Sequence, residues 1–126
     1  MLDKSEKKHI LVVDDEEIIR EFLLEVLGED FDVSLACDGG EAISKLAQSS
    51  YDLVITDLKM PKVPGDEVVK YIRQYRPGTP VIIISGYSTL YAASQSVSHG
   101  ACAFLAKPFS IADLSRTITE TLGVDG

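Results

Sequence analysis

The stretch that decides the fold is Ile10-Leu11-Val12-Val13-Asp14-Asp15-Glu16-Glu17, in which four apolar residues are followed at once by four acids. An apolar run without polar alternation is typical of a strand buried on both faces, as in a parallel sheet that helices cover. The run Val81-Ile82-Ile83-Ile84 has the same character. Two such runs in a short chain favour an α/β fold built around a parallel sheet.

Outward from this stretch, segments rich in β-branched residues alternate with segments of helical periodicity. We predict five strands, at His9–Val13, Phe31–Leu35, Asp52–Thr56, Val81–Ser85 and Ala101–Ala106. The fourth intervening segment, residues 88–99, contains four serines, which compete with helical backbone hydrogen bonds, so we expect it to be the least stable helix. The pattern is (βα) repeated five times, and it predicts a doubly wound parallel sheet with helices on both faces.

Length and composition indicate one globular domain. The chain has 126 residues, of which 45% are apolar and 25% charged, and its formal net charge is −8. We expect a polar extension over residues 1–8 and a single domain over residues 9–126. No apolar run resembles a signal peptide or a membrane span, so we expect a cytoplasmic protein without membrane contact. The acidity argues against direct binding of nucleic acid.

Polar residues stand where the predicted strands end. Asp14 and Asp15 follow the first strand, Asp57 follows the third, Ser85 closes the fourth and Lys107 follows the fifth. The carboxyl ends of parallel strands meet at one edge of the sheet, and ligands bind there near the point where strand order reverses. We therefore expect these side chains to converge, although the acidic run alone would equally suit the start of a helix.

Carboxylates in one crevice repel each other unless a proton or a cation lies among them. Carboxylate oxygens suit Mg²⁺, which binds through one or two of them together with a phosphate oxygen. Lys107 would add a second positive charge, and the Ser85 hydroxyl could donate to a phosphoryl oxygen. Asp57 is the best-placed nucleophile, since a carboxylate can form an acyl phosphate. Phosphoryl transfer needs mainly positioning and charge stabilisation, which these groups provide.

Four motifs occur in the same order as in the receiver domain of two-component response regulators, and the chain resembles that domain in its chemotaxis-regulator-like form. They are Ile10–Glu16, Asp52–Pro61, Ser85-Gly86 and Phe104–Phe109. The resemblance extends over about residues 8 to 122, nearly the whole chain. It implies a flavodoxin-like sheet of five parallel strands in the order 2-1-3-4-5.

The resemblance also implies roles for individual residues at the metal site. Asp57 is expected to be the phosphoacceptor. Asp14 and Asp15 are expected to hold Mg²⁺ or Mn²⁺ together with Asp57, and the backbone carbonyl of Lys59 is expected to complete the metal site.

Further roles follow from the same resemblance. Ser85 and Lys107 are expected to contact the phosphoryl group. Ser85 and Phe104 are expected to form the switch, with Phe104 filling space that Ser85 vacates. Lys59 and Tyr87, each two residues beyond an expected site residue, are expected to tune how readily water attacks the acyl phosphate.

As a receiver domain, the chain would take its phosphoryl group from a sensor histidine kinase or a histidine phosphotransfer protein. It would signal to an output domain or partner protein through its fourth helix, fifth strand and fifth helix, and it could form a homodimer on phosphorylation. Such a domain catalyses only its own phosphorylation and dephosphorylation, so we expect a signalling domain and not an enzyme.

Three other classes of protein fit the sequence less well, and the pseudo-receiver is the main alternative among them. A flavodoxin-like cofactor binder needs a phosphate loop after the first strand, and the acids there would repel the phosphate. A hydrolase of the haloacid dehalogenase type carries its nucleophile on the first strand, whereas Asp57 is on the third. A pseudo-receiver would bind partners without phosphorylation, but it usually lacks one of the site residues that this chain retains.

Overall fold

The computed structural model describes residues 7–58, 60, 63–86 and 103–123. The strands are β1 His9–Val13, β2 Asp32–Ala36, β3 Leu53–Asp57, β4 Val81–Ser85 and β5 Ala103–Ala106. The helices are α1 Glu17–Leu27, α2 Gly39–Gln48, α3 Gly65–Tyr75 and a C-terminal helix, Ile111–Leu122. The serine-rich helix predicted over residues 88–99 lies outside the described residues, as do residues 1–6 of the predicted extension.

All neighbouring strands run parallel, in the order β2-β1-β3-β4-β5. The predicted order is thereby confirmed. The chain proceeds from β1 to one side for β2 and returns to the other side for β3, so the strand order reverses at β1. In open α/β sheets of this kind a crevice forms at that point, outside the carboxyl ends of the strands.

Side chains alternate between the two faces of the sheet and pack into two separate hydrophobic cores. In β1, Leu11 and Val13 pack on the face that α2 and α3 cover, together with Leu46 and Val68. Ile10 and Val12 pack on the opposite face with residues of α1 and the C-terminal helix. These four side chains, from Ile10 to Val13, are fully buried. Burial on both faces is the reason for the unbroken apolar run in the sequence.

Two strands lie one residue further along the chain than their sequence pattern predicts. The β2 ladder includes Ala36, which lies opposite Val13, and the β3 ladder includes Asp57, which lies opposite Ile84. In β3, backbone pairing with β4 thus continues through Asp57, a polar residue that the apolar pattern excludes. As a consequence Asp57 is the last residue of β3 and is held by the sheet itself.

Capping interactions fix the start of two helices. The Asp38 side chain accepts a hydrogen bond from the Glu41 N–H at the start of α2, whereas the Glu41 carboxylate accepts from the Cys37 N–H. At the C-terminal helix, Ser110 and Asp113 form a reciprocal capping box. That helix begins shortly after Lys107, and the Lys107-Pro108 peptide bond is cis. No helix within the described ranges is long and apolar enough to cross a membrane.

Candidate phosphoryl-transfer site

The end of β1 buries one carboxylate and exposes the next. The Asp14 N–H donates to the Ala36 carbonyl oxygen at 3.1 Å, which extends the β1–β2 pairing past the end of the strand. Asp14 is fully buried, and its Oδ1 accepts a hydrogen bond of 2.9 Å from the Glu16 N–H. Asp15 is exposed at the mouth of the crevice. The guanidinium of Arg20 donates to the Asp14 carbonyl oxygen at 2.7 Å and so fixes the backbone between the two acids.

Lys107 joins the ends of three strands. Its backbone N–H donates to the Ser85 carbonyl oxygen at 2.7 Å, which ties it to the end of β4. Its Nζ donates to Asp14 Oδ2 and to Asp57 Oδ2, both at 3.0 Å, and to Glu16 Oε1 at 3.2 Å. The side chains of Lys107, Asp14 and Asp57 are 15%, 0% and 8% exposed. The predicted convergence of Asp14, Asp57 and Lys107 is confirmed by these distances.

Burial and the facing charges shift the pKa values of Asp14 and Lys107. Burial raises the pKa of Asp14 above its usual range, and the Glu16 N–H and the Lys107 ammonium offset only part of that shift. Burial also acts to lower the pKa of Lys107, but its hydrogen bonds to Asp14 and Asp57 outweigh burial and raise that pKa. Lys107 is therefore charged at neutral pH, and its single positive charge faces several carboxylates.

The carboxylates could also hold a metal ion. Asp14, Asp15, Glu16 and Asp57 each offer one oxygen, and these oxygens all lie within 4.8 Å of one another. A set of hard oxygen donors of this size fits Mg²⁺ better than a metal that prefers nitrogen or sulfur. The Lys59 carbonyl, which the family resemblance adds to this set, lies outside the described residues.

The remaining predicted site residues are placed in part. Ser85 is fully buried at the end of β4, on the strand next to Asp57. Phe104 is partly buried in β5, opposite Ile83, and packs against the core on the α2 and α3 face. Tyr87, like Lys59, falls outside the described residues.

Sequence reasoning missed two residues that shape the site. Glu16 appeared only as a member of an acidic run, and its ion pair with Lys107 depends on a side-chain direction that no spacing reveals. Gly65 begins α3, and its N–H donates to the Leu58 carbonyl oxygen at 2.9 Å. A Cβ atom at Gly65 would collide with the Asp57 carbonyl oxygen, so only glycine allows α3 to approach the end of β3 this closely. A glycine directly after Pro64 was the one available signal.

The fold and the site define a class of protein, the flavodoxin-like domains that carry buried carboxylates and a lysine at the carboxyl edge of the sheet. A model of the response regulator receiver domain matches residues 10–119. The chain therefore belongs to the receiver domain family of the response regulators of two-component systems. Receiver domains are signalling domains, which agrees with the class expected from the sequence.

Relatives and solved structures support this assignment. The chain is 36% identical over 114 residues to the response regulator ArlR of Staphylococcus saprophyticus, and 38% identical over 117 residues to the response regulator protein PilR of Pseudomonas aeruginosa. The matches cover 90% and 92% of this chain but only 51% and 26% of those proteins. The chain thus spans about half, or about a quarter, of the length of these relatives.

Among solved structures, a CheY-like response regulator receiver domain protein from Methanospirillum hungatei superposes with a TM-score of 0.88 at 32% identity, covering 93% of this chain and 94% of that one. A receiver domain protein from Clostridium thermocellum superposes with a TM-score of 0.85 at 34% identity, covering 92% and 94%. In both comparisons the shared fold extends over nearly the whole length of the solved structure.

Proposed function

We propose that Asp57 accepts a phosphoryl group from a phosphorylated histidine of a sensor kinase or phosphotransfer protein. The observation that carries this proposal is the position of the Lys107 ammonium, 3.0 Å from both Asp57 Oδ2 and Asp14 Oδ2. Residues from three strand ends, far apart in sequence, here combine a carboxylate nucleophile with positive charge. The family assignment supports the same role.

In the transfer, an Asp57 carboxylate oxygen attacks phosphorus as the phosphorus–nitrogen bond of the phosphohistidine breaks. The imidazole nitrogen leaves with the bonding electron pair and takes up a proton, and an acyl phosphate remains on Asp57. Because Asp57 is the last residue of β3, backbone pairing with β4 holds the nucleophile in place. Such positioning is a main source of rate in phosphoryl transfer.

The other site residues stabilise the negative charge on the phosphoryl oxygens. Lys107 donates to a phosphoryl oxygen, and Ser85, one strand from Asp57, donates its hydroxyl to another. Asp14, Asp15 and Asp57, with the Lys59 carbonyl, would hold Mg²⁺ or Mn²⁺. The ion would supply positive charge that offsets the negative charge of the transferring group. Water later attacks the acyl phosphate, and Lys59 and Tyr87 set the rate of that attack.

A partner surface lies beside the site. Ile18 and Phe22 of α1 are 73% and 37% exposed, and Ile111 at the start of the C-terminal helix is 52% exposed. The ring of Phe22 lies 6.5 Å from the ring of Phe109, two residues before the C-terminal helix, which brings α1 and the start of that helix together. Exposed large apolar side chains of this kind mark protein contacts, so this surface is proposed to receive the phosphodonor protein.

The response to phosphorylation is proposed to pass through Ser85 and Phe104. Ser85 moves toward the phosphoryl group, and Phe104 turns into the space that Ser85 leaves. The change is proposed to reach the output face implied by the resemblance, which is made of the fourth helix predicted from the sequence, β5 and the C-terminal helix. An output domain, a partner protein or a second phosphorylated copy would bind there. A cytoplasmic location, expected from the sequence, is part of this proposal and is consistent with the family.

The test is phosphorylation by a small donor such as acetyl phosphate in Mg²⁺, with the intact protein mass as the measurement. We expect one phosphoryl group on the wild type, none on Asp57→Asn, and none on the wild type in chelator. Asp52→Asn is the matched control, since Asp52 immediately precedes β3 at its other end and accepts a hydrogen bond from the His9 N–H. Absence of label on the wild type would contradict the proposal.

A further inference from the structure

The Lys107 ammonium has as many carboxylate partners as it has hydrogen-bond donors. An ammonium carries three N–H donors, and here they face Asp14, Asp57 and Glu16 at 3.0, 3.0 and 3.2 Å. The first two partners are members of the proposed phosphorylation site. Glu16 is the outermost of the acids grouped at the site, is not among the residues proposed to contact the phosphoryl group, and its side chain is 57% exposed.

The backbone of Glu16 is held by a hydrogen bond, but its side chain does not cap the helix that it begins. Glu16 occupies the N-cap position of α1, and its N–H is bound by Asp14 Oδ1 at 2.9 Å. A residue at that position often caps the helix with its side chain, but Glu16 makes no such bond. Its carboxylate points at Lys107 instead. The ion pair with Lys107 is therefore made by a side chain whose own backbone is held in place.

Phosphorylation requires Lys107 to bond a phosphoryl oxygen, and a saturated ammonium can do so only by giving up one of its carboxylates. Asp14 and Asp57 are buried and hold the ammonium inside the crevice, whereas the Glu16 carboxylate is open to water and can be released at least cost. Release of Glu16 is thus the step that frees a donor.

We propose that Glu16 is a positioning residue that occupies the third donor of Lys107 in the unphosphorylated protein and slows phosphorylation of Asp57. This inference rests on the proposed function of Asp57. A partly exposed ion pair of this kind corresponds to a change of about two- to fivefold in rate. Removing the Glu16 charge therefore speeds phosphorylation by that factor.

The matched control is the neighbouring acid. Glu17 is exposed, carries the same charge and, within the described part of the chain, forms no ion pair with Lys107. Glu16→Gln and Glu17→Gln thus change the net charge equally, and any general effect on the approach of an anionic donor is common to both. Only Glu16→Gln removes a negative charge that is paired with Lys107 and so weakens the hold on its third donor.

The experiment measures phosphorylation by acetyl phosphate over a range of donor concentrations, at Mg²⁺ concentrations that saturate each variant in a separate calorimetric titration. We expect the limiting rate of Glu16→Gln to exceed that of the wild type by about two- to fivefold. We expect Glu17→Gln to match the wild type. Equal limiting rates for the two variants, or a slower Glu16→Gln, would overturn the inference.

A second measurement needs neither donor nor metal. In chelator, the NMR resonance of the Lys107 ε-methylene group, assigned by its loss in Lys107→Arg, is expected to shift in Glu16→Gln and to stay in place in Glu17→Gln. A resonance unmoved in both variants would show that Glu16 does not hold the ammonium. If the wild type itself takes no phosphoryl group on Asp57, the proposed function fails; if it does and the two variants agree, only the role of Glu16 fails.

Discussion

Replacing Gly65 with alanine tests how closely the site depends on the contact between α3 and the end of β3. An added Cβ would collide with the Asp57 carbonyl oxygen and would lie 2.8 Å from the Asp57 carbonyl carbon and 2.9 Å from the Leu58 Cα. All three atoms belong to the backbone. Ordinary contact begins at about 3.4 Å, so the backbone at Asp57 or the start of α3 must move by at least about 0.6 Å.

Two effects of different size follow. Overpacking of a buried contact costs roughly 1–3 kcal/mol of unfolding free energy. A displacement approaching 1 Å at the reacting carboxylate can lower a rate by about 10²-fold. We therefore expect Gly65→Ala to remain folded but to be phosphorylated between about tenfold and a hundredfold more slowly than the wild type.

The assay compares phosphorylation by acetyl phosphate with urea unfolding of the same preparations. Gly78→Ala is the matched control, since a Cβ at Gly78 meets no heavy atom within 4 Å and Gly78 lies in the turn before β4. We expect that variant to keep the wild-type rate and stability. A wild-type rate in Gly65→Ala would refute the claim that this glycine sets the position of Asp57.

Three further predictions concern charge and surface. Lys107→Met leaves buried carboxylates without their cation, so in chelator we expect a loss of roughly 2–3 kcal/mol in urea unfolding, which Mg²⁺ restores in large part; no loss would contradict the ion pairs. Hydrogen bonds from Ser110 lower the pKa of Asp113, so the charged carboxylate stabilises the fold above its ordinary pKa and that stabilisation is lost as the pH falls through the lowered value. Asp113→Asn should accordingly melt below the wild type at pH 7 and approach it in acid, as calorimetry across pH can check. Ile18→Asp should slow transfer from a phosphorylated histidine protein by about tenfold or more while leaving the acetyl phosphate rate unchanged, and equal slowing with both donors would argue against a docking surface.

Much of the fold follows from the sequence because the apolar runs report burial on both faces of each strand. The runs Ile10–Val13 and Val81–Ile84 are fully or almost fully buried, as their composition predicts. The sequence also predicts which residues meet, since parallel strands bring their carboxyl ends to one edge. Asp14, Asp57 and Lys107 meet there by topology alone.

The features that the sequence does not predict depend on backbone pairing, on side-chain rotamers and on close approaches between backbones, none of which an apolar pattern reports. β3 continues through Asp57 because its backbone pairs with β4, and the polarity of a side chain does not report backbone pairing. The Glu16 contact depends on one side-chain rotamer, and the role of Gly65 depends on the approach of two backbones. The capping box at Ser110 and Asp113, in contrast, had a visible spacing and could have been predicted.

The central claim is that Asp57 carries the phosphoryl group, and chemical mapping of the acyl phosphate tests it most directly. The protein is phosphorylated in Mg²⁺ and reduced with borohydride, which converts an aspartyl phosphate to homoserine, and the peptides are then sequenced by mass spectrometry. We predict homoserine at position 57 in the phosphorylated wild type and unchanged aspartate in the sample without donor. Homoserine at another acid of the crevice, or at no position, would contradict the account.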